Sequence, residues 1–399
     1  MPDPVLSSPD HAKKIDSLLA ETRAHGGLAP VDLERFWADQ ARSTPDSFSR
    51  TNPQCPLGML MSGECVYAEL GVPEDYWRYG HDEAWRLSLN KAYNDQSEKI
   101  VGRRLLNEKP GPPAENQWPG FKPLYEVFEA KNVWQSESWW LEQSANTPDE
   151  LAALLDRVEA RIAAMRDFIL PPEWHEAKPR LLALGLKPPR YRGQRGPVTF
   201  ATSIYGVENL MWLIMDQPDL AARFRNAIRD AMLAIARVLD EEGGYTPETA
   251  PRGFSFADDN CYLLTPDMYE FFGYPVLEAM FKRYSPGPAD SRYQHSDSAM
   301  GHLLPLLGRL NMTGVNLGPT VPAAEIRRYL PKAVIQGQLA PFTLSRNNEP
   351  QIVAEFLRDF DMTRESRGLS FTTAGSINNG SRLTSMRLIM AAIQRYGRY

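Results

Sequence analysis

A chain of 399 residues with 44 basic and 50 acidic side chains carries a formal charge of -6, which argues against a dedicated nucleic-acid binder, a class marked by a basic face. Its 43 % apolar share is that of a globular protein, and no window approaches the roughly 18 consecutive apolar residues of a membrane span. Three cysteines, Cys55, Cys65 and Cys261, offer neither a disulfide framework nor paired metal-type spacing. With a polar start, MPDPVLSSPDHAKK, that lacks the pattern of a secretory signal, the expected location is the cytoplasm.

Residues 1–10 read as a loose tail. Helices are expected over His11–His25, closed by Gly26-Gly27, and over Val31–Arg42. The stretch Cys55–Trp77 opens loop- or strand-like because of Gly58, Gly63 and Gly71. His81–Leu106 reads as a helix, and the Pro/Gly-rich Lys109–Pro123 as a long loop of the kind that often carries function. Trp134, Trp139 and Trp140 then fall within seven residues. They suit the wall of a pocket for a flat apolar substrate, and equally a core or subunit interface. Thr147-Pro148-Asp149-Glu150 is a helix start, with Thr as N-cap, Pro in the first turn and Glu at the capping-box position.

From here the chain alternates. Strands are expected at Val198–Ser203, Gly253–Ala257, Arg292–His295, Thr313–Leu317, Ala333–Gly337 and Leu369–Thr373, each followed by an amphipathic helix. Such repeats mean a parallel sheet covered by helices. With two more strands from the first half, the expected fold is an α/β protein of the (βα)8 barrel type. An N-terminal helical extension (residues 1–50) would precede a barrel domain (51–399); an open doubly wound sheet is the alternative. No glycine-rich nucleotide loop follows any of these strands.

The strand ends gather polar residues: Ser203 and Tyr205; Asp258, Asp259 and Asn260; His295, Ser296 and Asp297; Gly318 and Pro319; Gln336 and Gln338; Ser376, Asn378 and Asn379. In a barrel this is where catalytic groups stand, although βα loops are polar in any case. The centre of the pattern is Phe254–Asp297. Asp258, Asp259 and His295 are the candidate catalytic groups. Trp134, Trp139, Tyr205, Asn260, Gln336 and Asn378 are candidate substrate contacts. His295-x-Asp297, joined by Asp258 or Asp259, admits a metal site, a general base oriented by a carboxylate, or a hydrogen-bonded pair that only holds a loop.

The order of these features resembles the uroporphyrinogen decarboxylase superfamily, which includes corrinoid-dependent methyltransferases. The resemblance rests on TFATSIYGVENLMWLIMDQPDL (Thr199–Leu220), FSFADDNCYLLTPDMYEFFGYPVLEAMFKRY (Phe254–Tyr284), HSDSAMGHLLPLLGRLNMTGVNLGP (His295–Pro319), AVIQGQLAP (Ala333–Pro341) and the final TTAGSINNGSRLTSMRLIMAAIQRYGRY (Thr372–Tyr399). It covers residues 195–399 and implies a (βα)8 barrel with the site at its mouth. The decarboxylases grip their polycarboxylate substrate with N-terminal arginines; the corresponding stretch here, CPLGMLMSGECVYAELGV (Cys55–Val72), has none. The methyltransferase branch binds zinc through His-x-Cys and a late Cys. Here His295 keeps the histidine, Asp297 stands at the first thiolate position, and Ser376 falls near the second.

The resemblance therefore implies a methyltransferase or demethylase acting on a small methoxy or methylated substrate, aryl methyl ethers among them. The methyl group would pass to a corrinoid on a separate protein, because the Asp-x-His-x-x-Gly corrinoid signature is absent. His295, Asp297 and Asp258 would hold zinc, or acids near His295 would protonate the leaving group. The alternative is a metal-independent decarboxylase or lyase using Asp258 and His295. The assembly is left open, with a homodimer, common in barrels of this kind, among the options.

Overall fold

The computed structural model describes residues 8–59 and 61–399. The loose tail expected over residues 1–10 lies outside these up to residue 7. Beyond it the chain is already helical from Pro9, capped by the Ser8 hydroxyl, which accepts from the His11 N–H at 3.2 Å.

Two short strands, β1 (Asn132–Gln135) and β2 (Ser138–Leu141), form an antiparallel hairpin. Six more follow: β3 (Gly193–Arg195), β4 (Phe254–Ala257), β5 (Arg292–Ser296), β6 (Gly314–Leu317), β7 (Val334–Leu339) and β8 (Leu369–Thr373). They lie in chain order in one sheet, and the pairs β3–β4, β6–β7 and β7–β8 are parallel. A helix or helices separate each strand from the next, so the fold is α/β with a six-stranded sheet and a helical N-terminal region. A further extended piece runs beside β8: the Phe371 N–H donates to Pro56 O and the Gly58 N–H to Phe371 O, both at 2.8 Å.

One expected strand is a helix. Val198–Ser203 lies inside Pro197–Tyr205, and the strand precedes it at 193–195. The β-branched composition of Val198-Thr199-Phe200 suggests a strand, but three local features override it. Pro197 occupies the first helical position, where its fixed φ and missing N–H cost nothing. The Thr202 and Ser203 hydroxyls bond back to the Thr199 carbonyl at 3.0 and 2.7 Å. Val198, Ala201, Thr202 and Tyr205 are buried at helical spacing.

The chain divides into two compact units. One comprises the residues up to Pro110 together with His295–Leu304 and Gly314–Tyr399. In it the helices Pro9–Ala24 and Glu83–Val101 pack on the late helices Glu349–Thr363 and Leu383–Tyr396. The Gln40 amide clamps the Leu57 backbone from both sides, at 2.7 and 2.9 Å, which fixes the strand-like piece beside β8.

The other unit comprises Gly111–Gln294 and Pro305–Thr313. Its core is built on the helix Pro218–Glu242, whose Phe224, Ile228, Met232, Ile235 and Leu239 recur at helical spacing and are buried. Phe224 packs its ring with Phe128, Tyr205 and Phe272. No single helix among the described residues is long and apolar enough to cross a membrane. Pro197–Tyr205 and Val207–Asp216 pass that test only as a pair, bent by 104°.

Candidate functional site

In the first unit, the chemistry gathers around His295. β5 delivers it, and the next strand, β6, supplies Asn316, which is buried within hydrogen-bond reach: His295 Nδ1 lies 2.8 Å from Asn316 Oδ1. The other end of the Asn316 amide is spoken for, because Nδ2 donates to the Gln336 carbonyl on β7 and to the Thr373 carbonyl on β8 at 2.9 Å. An amide nitrogen that donates twice leaves only its oxygen to face the histidine, so His295 Nδ1 carries a proton. The remaining ring nitrogen, Nε2, lies 3.2 Å from Asp297 Oδ1. If the imidazole is neutral, two lone pairs meet there and repel, unless a proton or a cation lies between them.

The backbone around Asp297 is shaped for close approach. A Cβ on Gly375, whose φ is +117°, would lie 2.4 Å from Asp297 Oδ1. One on Gly318, at the end of β6, would lie 2.6 Å from Ser298 O and 2.7 Å from Asp297 O. The loops after β5, β6 and β8 therefore converge on one carboxylate, and glycine is required at both positions. The Asp297 side chain stays half-exposed and that of His295 about a quarter exposed.

In the second unit, Asp258 follows β4 and is fully buried. Its Oδ1 accepts the Thr199 N–H at 2.7 Å, inside the first turn of Pro197–Tyr205. The N-cap residue of that helix, Gly196, has no side chain, and a Cβ there would strike the Asp258 side chain at 2.1 Å. Asp258 thus performs from a distance the service that an Asp or Asn N-cap normally gives. Its second oxygen is buried without a hydrogen-bond partner among the described residues. Burial pushes its carboxyl up to about 6, against the opposing effect of the Thr199 hydrogen bonds. Asn260 is tied to the same helix, by its N–H to Thr199 Oγ1 at 2.9 Å and its amide to Thr202 Oγ1 at 2.7 Å.

Two cavities open beside this helix. One of about 220 Å³ is lined by Asn132, Trp139 and Gln194 among others; one of about 330 Å³ by Trp140, Thr199, Asp259 and Asn260. Leu141 and Arg195 line both. Trp134 and Trp139 are opposite one another on the hairpin, with their rings edge to face at 5.4 Å.

The expected site residues thus fall into several environments. His295 and Asp297 are brought together, while Asp258 sits in the other unit at a helix start. Trp139, Asp259 and Asn260 line cavities. Tyr205 does not: it is 2 % exposed and packs against Phe224 in the core. Gln336 has an exposed side chain, and its carbonyl receives Asn316. Asn378 is half-buried in the loop after β8, where its carbonyl meets Cys65 Sγ at 3.8 Å. Ser376 is exposed, next in sequence to the Gly375 that abuts Asp297.

Sequence reading missed Asn316 and Arg195. Asn316 reads as an ordinary strand residue in Gly314-Val315-Asn316-Leu317. A polar residue inside a fully buried strand was the available signal, since such a group must be satisfied by neighbouring strands. All three cysteines are buried, and none is in a disulfide.

A parallel α/β sheet whose strand ends carry histidine, carboxylate and amide groups is the arrangement that enzymes of the barrel class use. The model of the uroporphyrinogen decarboxylase (URO-D) family matches residues 190–396, and the chain belongs to that family. Among solved structures it is similar to a methyltransferase from Methanosarcina mazei, at 15 % identity and a TM-score of 0.51, over 90 % of this chain and 97 % of that one. At that identity the likeness is one of fold.

Proposed function

We propose that the protein is a methyltransferase of this family that removes a methyl group from a small methoxy or methylated substrate, with a corrinoid on a partner protein as acceptor. The observation that carries the reading is the His295 assembly: Asn316 fixes the tautomer, and Nε2 and the Asp297 carboxylate converge at 3.2 Å. That separation is close to the spacing of two donors around a tetrahedral divalent ion, about 3.4 Å for zinc bonds of ordinary length. The donor set fits such an ion in two of its positions. With oxygen in place of thiolate the pair is harder than a Cys-based site and suits an oxygen-bearing substrate.

His295 and Asp297 hold the ion, Asn316 orients the imidazole, and Gly375 and Gly318 let the flanking loops close on the carboxylate. When bound, such an ion supplies Lewis acidity toward a substrate oxygen. In the second unit, the Thr199, Thr202 and Asn260 side chains give the larger cavity polar groups and Trp140 gives it apolar surface, while Trp139 lines the smaller one.

The test is methylation of free cob(I)alamin by methoxyarenes, followed by absorbance, in wild type and His295→Gln. Methyl transfer that the variant loses supports the reading; no transfer from any donor to free or protein-bound corrinoid overturns it.

A second reading, acid chemistry without a metal, is favoured by one observation: burial holds the Asp258 carboxyl at about 6, where a carboxylic acid retains its proton in mildly acid solution. Decarboxylation of an aryl acid by metal-free enzyme, abolished in Asp258→Asn, would establish it.

A further inference from the structure

Several arginines of the second unit are paired with acids. Arg192 meets both oxygens of Asp240 at 2.6 and 2.7 Å, and Arg223 reaches Glu159 and Asp156. Arg195 differs. It is the last residue of β3, it is exposed, and it meets one neutral hydroxyl, Ser203 Oγ, at 3.4 Å, with no acid within ion-pair distance among the described residues. Among the described residues it is also the one basic residue lining the two cavities, and it lines both. The smaller cavity has no acidic residue in its wall; the larger has Asp259. An anion is therefore favoured on the side of Trp139, Asn132 and Gln194 and opposed on the other. A guanidinium presents its N–H groups as a planar fork that matches a carboxylate, and beside it Trp139 offers exposed indole surface to a flat ring.

We propose that Arg195 anchors the carboxylate of an aromatic acid whose ring lies on Trp139. The proposal rests on the reading above only in placing this ligand as the substrate; binding itself requires neither metal nor corrinoid. It narrows the substrate class from methylated arenes at large to arylcarboxylates.

The experiment is a titration of intrinsic tryptophan fluorescence with 4-methoxybenzoate and with its neutral isostere 4-methoxybenzamide. Wild type, Arg195→Gln and Arg195→Lys are compared, with circular dichroism confirming that each is folded. Wild type binds the acid at least about tenfold more tightly than the amide, the size expected of a charge-assisted pair. Arg195→Gln abolishes that preference and leaves the amide unchanged; Arg195→Lys restores part of it. Equal affinity for acid and amide, failure to bind either, or a preference that survives in Arg195→Gln each overturns the assignment. A preference that vanishes in Arg195→Gln, found in a protein without methyl transfer, upholds the anchor and sinks the methyltransferase reading.

Discussion

Asp297 and Asp258 each follow or end a strand of the parallel sheet, and the protein treats them oppositely. Asp297 is half-exposed beside a histidine whose other nitrogen is fixed, and two loop glycines make room for it. Asp258 is fully buried, accepts a backbone N–H, and substitutes for the missing side chain of a glycine N-cap. One carboxylate is presented to solvent and the other is enclosed at a helix start.

Alternation already separates them. Along β4, Phe254 and Phe256 are buried while Ser255 and Ala257 are half-exposed, so the period of two places Asp258 on the core face and Asp259 on the other. Asp259 lines a cavity, as that phase requires.

The largest expected effect comes from removing the tautomer lock. Asn316→Leu leaves two strand carbonyls and the His295 Nδ1–H without their partner. It should destabilise the fold by about 3 kcal/mol, read from the urea midpoint, and should abolish whatever depends on His295. Next, Gly375→Ala forces a side chain into a positive-φ position against the Asp297 carboxylate. It should cost about 2 kcal/mol and weaken divalent-ion binding, while Gly120→Ala, where a Cβ meets nothing within 4 Å, should leave binding as it is.

Asp258→Ala strips the acceptor from the Thr199 N–H and should cost about 1 kcal/mol; Asp258→Asn keeps that acceptor. The pH dependence sharpens the contrast. The Asp258 carboxyl is raised from 3.8 to about 6 by burial, so the native state binds its proton more tightly than the unfolded chain does. Its contribution to stability is complete below about pH 4, falls as pH rises toward 6, and is level above. In urea titrations from pH 4 to 7, Asp258→Asn should be less steep than wild type. An unchanged slope would mean that this carboxyl is not raised. The smallest effect is expected of Trp140→Ala: the ring is 57 % exposed, and its loss should move stability by no more than about 0.5 kcal/mol.

Much of the sheet was legible because its last five strands are short extended runs between helices of clear period. β3 was not: Gly-Gln-Arg carries no hydrophobic signal, and the Val-Thr-Phe that follows mimics a strand. Placing the strand end at Ser203 instead of Arg195 hid the cation that lines both cavities. His295 and Asp297 were legible from their spacing. Asn316 was not, since its meaning lies in carbonyls 20 and 57 residues further on. Tyr205 illustrates the converse: its position near a strand end suggested a pocket, and the helix that formed there turned it into the core.

The central claim is that His295 and Asp297 form a cation site and Asp258 does not. The direct measurement is zinc binding by calorimetry in wild type, His295→Gln and Asp258→Asn, at a pH where all three are folded. About one equivalent in wild type and Asp258→Asn, lost in His295→Gln, is the result predicted for a site of this kind. No binding in wild type, or binding indifferent to His295, would contradict it.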